Sequence, residues 1–180
     1  VFVASVNAAP ISVRDIPFIK NEGQLSKDVQ FYARVFAGSV YVTNDGLVYT
    51  VSAGAGATQA VAIRERFVGV KQQATPRGLE NSTVTNHFIG RPERWRTGVP
   101  AYRAVDLGQL WPSIGVSVRA HENNVEKLFT VLPGGEVRDI RMQPQGVSNF
   151  LINDLGQLVY QTPLGQVALT KPIAYQDTPE

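Results

Sequence analysis

The segment SVYVTNDGLVYTV, Ser39–Val51, decides the fold class of this chain. On both sides of Asn44-Asp45-Gly46, side chains follow the two-residue period that is typical of β-strands with one buried face. Asn and Asp hydrogen-bond to the local backbone, and Gly adopts positive φ angles without steric cost. The segment therefore predicts a β-hairpin with a type I turn, followed by a left-handed Gly46 that forms a G1 bulge.

The same pattern recurs along the chain. Asn149–Thr162, NFLINDLGQLVYQT, again has a strand, an Asn-Asp-x-Gly turn and a strand, which we interpret as one hairpin solution used twice. Other strand-like segments are VQFYARVF, AVAIRERFVGV, IGVSVRA, VEKLFTVL and QVALT. The sequence thus predicts an all-β fold, an antiparallel β-sandwich-like domain of roughly a dozen short strands. Helix is expected only as single turns, such as Pro92–Trp95.

Composition restricts the class of protein. The chain has 180 residues, of which 43% are hydrophobic and 18% charged, so it can bury a core. The 17 basic and 15 acidic residues give a net charge of +2 without charge runs, and we expect no nucleic-acid partner. The absence of cysteine excludes disulfides and thiolate chemistry. The apolar runs are too short to span a bilayer, so no membrane insertion is expected.

The organisation of the chain is predicted as follows. Residues 1–17 are either a signal-peptide remnant, because Asn7-Ala8-Ala9 resembles a cleavage zone, or a first strand built on apolar residues such as Val3. Residues 18–176 form a single all-β domain, or two packed halves of about 18–80 and 81–176. Residues 177–180 are a linker to a following domain. The start without Met indicates a piece of a longer protein.

Four motifs resemble a known family. They are FIKNEGQ at Phe18–Gln24 followed by VQFYAR, RERFVGV at Arg64–Val70, the block NHFIG–WRTGVPAYRAV–LWPSIGV, and TPLGQVALTKPIAYQ at Thr162–Gln176. Their order and spacing are similar to those of an uncharacterised N-terminal domain of bacterial secreted proteins with SBBP (beta-propeller) repeats. The chain departs from the family pattern at Ile114-Gly115-Val116 and at Lys127-Leu128-Phe129, where relatives tend to carry an acidic residue.

The resemblance implies an exported all-β module of a larger secreted or cell-surface protein. Its partners would then be neighbouring domains of the same chain, among them beta-propeller repeats. The resemblance implies no enzymatic activity.

Catalytic and metal-binding patterns are weak. His121-Glu122 lacks the second His of a zinc-protease motif, and its context predicts a hairpin turn. His87 is interpreted as a structural or surface histidine. Glycoside hydrolysis needs only two suitably spaced carboxylates. The conceivable candidates are Glu22, Asp28, Glu65 and Glu93. Glu65 lies between Arg64 and Arg66, which favours cross-strand ion pairing instead. We therefore expect no catalytic residue, no bound metal and no cofactor.

Two turns offer oxygen ligands that calcium can use. Asn44-Asp45 and Asn153-Asp154 both carry loop oxygens, but neither has the alternating acidic ligands of a calcium loop. Turn formation is the preferred interpretation, and calcium binding stays open.

The segment NHFIGRPERWRTGVPAYRAV, Asn86–Val105, supports two interpretations. In the first, Trp95, Tyr102 and Trp111 form an aromatic platform for a ligand such as a surface glycan. In the second, a structural motif of Trp95, Arg96, Pro100 and Tyr102 closes an open end of the sandwich, with Trp95 buried as a lid. Arg94 and Arg96 would then face solvent or backbone carbonyls.

The leading functional expectation is a non-catalytic structural or interaction domain at the N-terminus of an exported multidomain protein. A carbohydrate-binding module is the alternative, and a glycoside-active enzyme comes third. A ligand platform requires solvent-facing tryptophans, whereas the structural interpretation requires buried ones.

Overall fold

The structure, a computed structural model, describes residues 15–35, 38–52, 58–121 and 124–176. Its helical elements within these ranges are two single 3₁₀ turns, Pro92–Arg94 and Val137–Asp139. The strands within these ranges are β1 (Phe18–Lys20), β2 (Val29–Val35), β3 (Gly38–Thr43), β4 (Gly46–Ser52), β5 (Ala60–Phe67), β6 (Arg77–His87), β7 (Arg96–Trp111), β8 (Ile114–His121), β9 (Asn124–Val131), β10 (Met142–Gln145), β11 (Asn149–Ile152), β12 (Leu158–Thr162) and β13 (Gly165–Leu169). The predicted antiparallel all-β class with single-turn helices is confirmed.

The predictions for the two ends of the chain fall outside this description. Residues 1–14, which cover most of the predicted signal-peptide remnant or first strand, and residues 177–180, the predicted linker, are not among the described ranges. Among the residues that are described, no helix has the length and apolar character needed to cross a membrane.

Contacts divide the chain into two compact units. One covers the described residues from Asp15 to Gly146, and the other covers those from Val147 to Gln176. The division follows β10, whereas residues 80 and 81, where two halves were expected to meet, both lie inside β6. That residues 18–176 behave as a single domain stays a prediction.

The larger unit is built on one antiparallel sheet of ten strands. Its order is β10-β5-β4-β3-β2-β1-β7-β8-β9, and β6 pairs with β7 outside this order. The long strand β7 is central, because it pairs with β1, β6 and β8. The sheet curls, since side chains from β2–β4 pack in the same buried cluster as side chains from β7 and β8. That cluster includes Phe31, Ala33, Val40, Val42, Leu47, Val105, Leu107, Leu110, Trp111, Ile114, Val116 and Val118.

Trp111 is the largest side chain of this core. It is 1% exposed, its ring meets the Phe67 ring edge to face with centroids 5.9 Å apart, and the Phe129 ring lies 6.4 Å away. Its indole N–H donates to the Val68 carbonyl at 3.0 Å, so the one polar atom of the ring is satisfied. Trp111 therefore joins the end of β7 to β5 and β9.

A buried ion pair links strands near the two ends of the sheet. Lys127 Nζ of β9 lies 2.5 Å from Glu65 Oε2 of β5, with the side chains 11% and 0% exposed. The Tyr49 hydroxyl donates to the same carboxylate oxygen at 3.0 Å, and the Lys127 ammonium lies 5.9 Å from the Tyr49 ring centroid. A charge without water must be paired and hydrogen-bonded, so this contact fixes β9 against β4 and β5.

The flanking arginines have a different partner. Arg64 Nη1 and Arg66 Nε lie 3.4 and 3.3 Å from Asp45 Oδ2, and both arginine side chains are partly exposed. The two-residue period of β5 therefore sends Glu65 to the core and its neighbours to the other face. The prediction that Glu65 is an ion-pairing residue is correct, but its partner comes from across the core rather than from an adjacent strand.

The β3–β4 hairpin forms as predicted, with one difference. Gly46 has φ +159°, an extended rather than left-handed conformation, so the expected G1 bulge is wrong. Glycine is needed for close approach, because a Cβ at this position would lie 2.0 Å from the Glu65 carbonyl oxygen. The Thr43 hydroxyl closes the turn by donating to Asp45 Oδ1 at 2.8 Å.

The described part of the smaller unit is a three-stranded meander, β11-β12-β13. The side chain of Asn153 closes the first turn by accepting hydrogen bonds from the backbone N–H groups of Leu155 and Gln157, each at 3.0 Å. Within the described residues, β11 pairs only with β12, and all four of its residues are exposed.

We expect Lys127→Ala to lower the free energy of unfolding by about 3–5 kcal/mol, because it leaves the Glu65 carboxylate buried without its ammonium partner. Arg64→Ala, which removes a partly exposed partner of Asp45, should lower it by less than about 1 kcal/mol. Urea denaturation followed by tryptophan fluorescence measures both. Replacing the pair together, as Glu65→Leu with Lys127→Met, should recover much of the loss. Equal effects of Lys127→Ala and Arg64→Ala would contradict this account.

Candidate functional site

Among the carboxylates considered for catalysis, Glu22 and Glu93 are exposed and lie near each other, because their backbone carbonyls both accept from Arg96. Glu65 is held by Lys127 and Tyr49 in the core. Asp28 is exposed, and Glu22 pairs with Lys20 at 3.3 Å on the surface. No group of three or more His, Asp or Glu side chains suited to a metal occurs among the described residues.

The two histidines have separate environments. His87 ends β6 in a buried position, and its Nδ1 lies 3.4 Å from the Tyr32 hydroxyl. His121 forms an isolated β-bridge with Asp15, while Glu122 lies outside the described residues. The structural interpretation of His87 therefore fits its position.

Both turns considered for calcium use their oxygens internally. Asp45 accepts a hydrogen bond from Thr43 and lies against two arginines, whose positive charges oppose a cation at this carboxylate. The side-chain oxygen of Asn153 accepts two backbone N–H groups of its own turn. Turn formation accounts for both motifs.

A small cavity opens beside Asp45. Its volume is about 110 Å³, well below the several hundred Å³ that drug-sized ligands occupy. It is lined by Asn44, Asp45, Arg66, Phe67, Val70, Gln73, Ala74 and Leu110. The cavity has room for a few water molecules, and the carboxylate in its lining, Asp45, is ion-paired with Arg66.

The FIKNEGQ motif consists of β1, Phe18–Lys20, and the first four residues of the tight loop that leads to β2. The Asn21 side-chain amide donates to the Ser26 and Val29 carbonyls at 2.8 Å, and its oxygen accepts the N–H of Gly23 and Leu25. Buried Gln24 accepts from the Glu22 N–H and donates to the Lys20 carbonyl, both at 2.7 Å. Two amide side chains thus satisfy six backbone groups of this loop, which explains why the motif contains them.

Arg96 connects this loop with the segment before β7. Its Nε donates to the Glu22 carbonyl at 2.8 Å, and its Nη1 donates to the carbonyls of Glu93 and Trp95, each at 2.8 Å. Gly23, at φ +106°, leaves room for the guanidinium, because a Cβ there would lie 2.6 Å from Arg96 Nη2. The expectation that Arg96 contacts backbone carbonyls is correct, and it is this residue that holds the loop in place.

Trp95 is not the buried lid that was expected. Its side chain is 45% exposed and meets the Phe88 ring edge to face, with centroids 5.8 Å apart. Phe88 and Ile89 are each 56% exposed. We call Phe88, Ile89 and Trp95 the Trp95 patch. The burial assumed for Trp95 is wrong because the 3₁₀ turn at Pro92–Arg94, which has no buried residue, carries the ring outside the core.

The three residues proposed as one aromatic platform do not share a surface. Trp111 is buried in the core, and Tyr102 is half-buried with its ring 5.8 Å from that of Phe31. Pro100 pairs with Val84 within the β6–β7 ladder, so Pro100 and Tyr102 lie inside the long strand β7, and their closing role stays a prediction. Among the predicted residues, only Trp95 presents a ring to solvent.

Sequence reasoning missed two components of this site. No pattern in the sequence marked Phe88 and Ile89 as exposed, and they directly follow His87, the last residue of β6. The amide side chains of Asn21 and Gln24 were noted only as part of a family motif. A polar pair flanking a glycine between two strands was the available signal for a loop held by its side chains.

The contact between Gly23 and Arg96 predicts a coupled effect on stability. Gly23→Ala should be strongly destabilising, because the new methyl group meets the guanidinium and the backbone φ is unfavourable. When Arg96 is already replaced by Ala, only the unfavourable backbone conformation remains as a cost of Gly23→Ala. The effects of the two substitutions on the free energy of unfolding should therefore differ from additivity by about 1–2 kcal/mol. Gly69→Ala, at φ +70° with open space around it, is the matched control and should show no coupling with Arg96→Ala. Chemical denaturation of the double-mutant cycle measures this, and additive effects would contradict the contact.

The two tryptophans should respond oppositely to truncation. Trp111→Ala should lower the free energy of unfolding by about 3–5 kcal/mol, the typical effect of emptying a buried aromatic site. Trp95→Ala should change it by less than about 1 kcal/mol, since the ring is already largely solvated. Thermal and urea denaturation of the two variants test the assignment. A large loss from Trp95→Ala would restore the lid interpretation.

Comparison with known proteins gives one match. No curated protein and no solved structure gave a significant match to the chain. The family model described as a domain of unknown function, DUF7948, matches residues 18–180. That range begins at the first residue of β1 and includes the Asn21 loop, Arg96 and the Trp95 patch. Since the match covers nearly the whole chain, the protein belongs to the DUF7948 family.

Proposed function

We propose that this chain is a non-catalytic interaction domain that binds its partner through the Trp95 patch. The observation that carries the proposal is an exposed cluster of Phe88, Ile89 and Trp95 on a loop whose backbone is held in place. Exposed apolar side chains are common singly, but a contiguous cluster is typical of a protein's binding surface.

The loop that carries the patch is held by several hydrogen bonds. The Trp95 indole N–H donates to the Gly90 carbonyl at 3.3 Å, and the Trp95 backbone N–H donates to the Pro92 carbonyl at 3.0 Å. Arg96 binds two further carbonyls of the loop, and the Asn86 side chain accepts the Gly98 N–H at 2.9 Å. A surface whose conformation is fixed before binding loses less entropy when the partner arrives.

The side chains of the patch favour a protein partner. Trp, Phe and Arg are the residues enriched in protein interfaces, and Trp and Arg dominate their binding energy. We propose that the partner is a neighbouring domain of the same exported bacterial protein, at the cell surface or secreted. The family motifs of the sequence support this context, with this domain at the N-terminus and beta-propeller repeats as its neighbours.

The absence of catalysis is part of the proposal. The buried Glu65 carboxylate forms an ion pair with Lys127 and accepts a hydrogen bond from the Tyr49 hydroxyl. The cavity beside Asp45 is too small for a drug-sized ligand. Turnover of a glycoside that is lost on mutating Glu22 or Glu93 would overturn this part.

Carbohydrate binding is the second candidate, and the solvent-exposed ring of Trp95 favours it. The Trp95 and Phe88 rings are inclined at 82° to each other, so they form a corner rather than a flat surface. Such a corner suits contact with one sugar ring better than stacking along a flat polymer.

The proposal that the partner is a domain of the same chain is tested by amide hydrogen exchange. The exchange rates of the protein encoded by the complete gene are compared with those of residues 1–180 alone. We expect amides of residues 86–98 to exchange at least about tenfold more slowly in the complete protein, because the partner domain covers the patch. Trp95→Ala in the complete protein should remove the difference.

Equal exchange in the two proteins, or a complete gene without further domains, would contradict a partner in the same chain. A glycan array probed with residues 1–180 distinguishes carbohydrate binding from binding to a protein partner. Binding there that is lost with Trp95→Ala would favour carbohydrate recognition.

A further inference from the structure

We infer that the Trp95 patch recognises an acidic protein segment, one that places carboxylates on both sides of an apolar side chain. This inference rests on the proposed function and specifies the chemistry of the partner. It comes from the charges that surround the patch.

The loop that carries the patch is strongly basic. Residues 88–98 contain Arg91, Arg94 and Arg96, and Glu93 is their only acidic residue. Arg96 is bound to backbone carbonyls rather than to a carboxylate, so its charge is not neutralised there. Residues 88–98 therefore carry a net charge of +2, and Glu22, whose carbonyl accepts from Arg96, is paired with Lys20.

Two of these arginines are available to a partner. Arg91 and Arg94 are exposed, and among the described residues neither guanidinium lies within 4.0 Å of a carboxylate. They flank Pro92 and Glu93 in the turn that directly precedes Trp95. An apolar centre beside charged arginines is the arrangement of an interface core and its polar rim. Guanidinium groups bind carboxylates with paired hydrogen bonds. The partner residues that face Arg91 and Arg94 are therefore expected to be acidic.

The shape of the patch favours a protein segment over an acidic polysaccharide. Phe88 and Ile89 are each 56% exposed, and sugar hydroxyl groups that cover these apolar side chains lose water contacts without gaining hydrogen bonds. The rings of Phe88 and Trp95 are nearly perpendicular, which leaves a corner for one inserted side chain. An apolar residue between two acidic residues fits both the corner and the arginines.

The test is selection from a library of random twelve-residue peptides displayed on phage, with residues 1–180 immobilised. We expect the enriched sequences to carry Asp or Glu on both sides of an aromatic or aliphatic residue. A synthetic peptide of the enriched sequence should bind Trp95→Ala at least about tenfold more weakly. Arg91→Ala with Arg94→Ala should weaken binding about fivefold, and raising the salt concentration should weaken binding to the unmodified protein.

The matched control is Arg103→Ala with Arg141→Ala. These exposed arginines also have no carboxylate partner among the described residues, so the control removes the same net charge from other parts of the sheet. Arg103 lies about 20 Å along β7 from Arg96. Binding to this variant should change less than about twofold, because a local contact, and not the net charge, is responsible.

The outcomes separate this inference from the function on which it rests. Enriched peptides that need Trp95 but carry no acidic residues would agree with the proposed interaction domain and would contradict the inference that its partner is acidic. Failure to enrich any peptide that depends on Trp95 would count against both. Polygalacturonate that binds through Trp95, Arg91 and Arg94, with its methyl ester and neutral dextran inactive, would replace the protein segment by an acidic glycan.

Discussion

The ion pair between Glu65 and Lys127 is the constraint on which the larger unit depends. These residues belong to strands near the two ends of one sheet, and their charges are stable in the core only when they meet. Apolar burial is not directional, so it favours any compact curl of ten strands. A buried carboxylate that must reach one ammonium and one phenol allows far fewer arrangements. Trp111 packs against Phe67 and Phe129 of the same two strands and adds a directed hydrogen bond to Val68.

Arg96 has the corresponding role on the surface of the sheet. It binds carbonyls of the β1–β2 loop and of the β6–β7 loop, which are more than seventy residues apart in the chain. The FIKNEGQ and WRTGVPAY motifs therefore belong to one structural element, because Gly23 provides the space that the guanidinium fills. Fixing this loop allows Phe88, Ile89 and Trp95 to remain exposed without collapsing onto the sheet.

The sequence predicted those features that depend on local periodicity and turn chemistry. The strands and the hairpins at Asn44 and Asn153 follow from two-residue alternation and from side chains that bond to their own turns. Orientation across the core was not predictable in this way. Trp95 stands between Arg94 and Arg96 and Trp111 stands beside Leu110, a local difference that agrees with their exposure, but tertiary packing decides which elements each ring contacts. The partner of Glu65 could not be identified because Lys127 is 62 residues away and no local pattern connects them.

The strand β11 has a consequence for the behaviour of the protein in solution. Its sequence, Asn-Phe-Leu-Ile, contains no charge and no proline, and the whole strand is exposed. Such a segment is a template for cross-β stacking, in which copies of one strand pair along a growing fibril. Asp154 and Lys171 are the charged residues between Val147 and Gln176, so within this segment only they can supply the charge that opposes such stacking. We therefore expect the tendency of the protein to self-associate to respond to changes of charge in this unit.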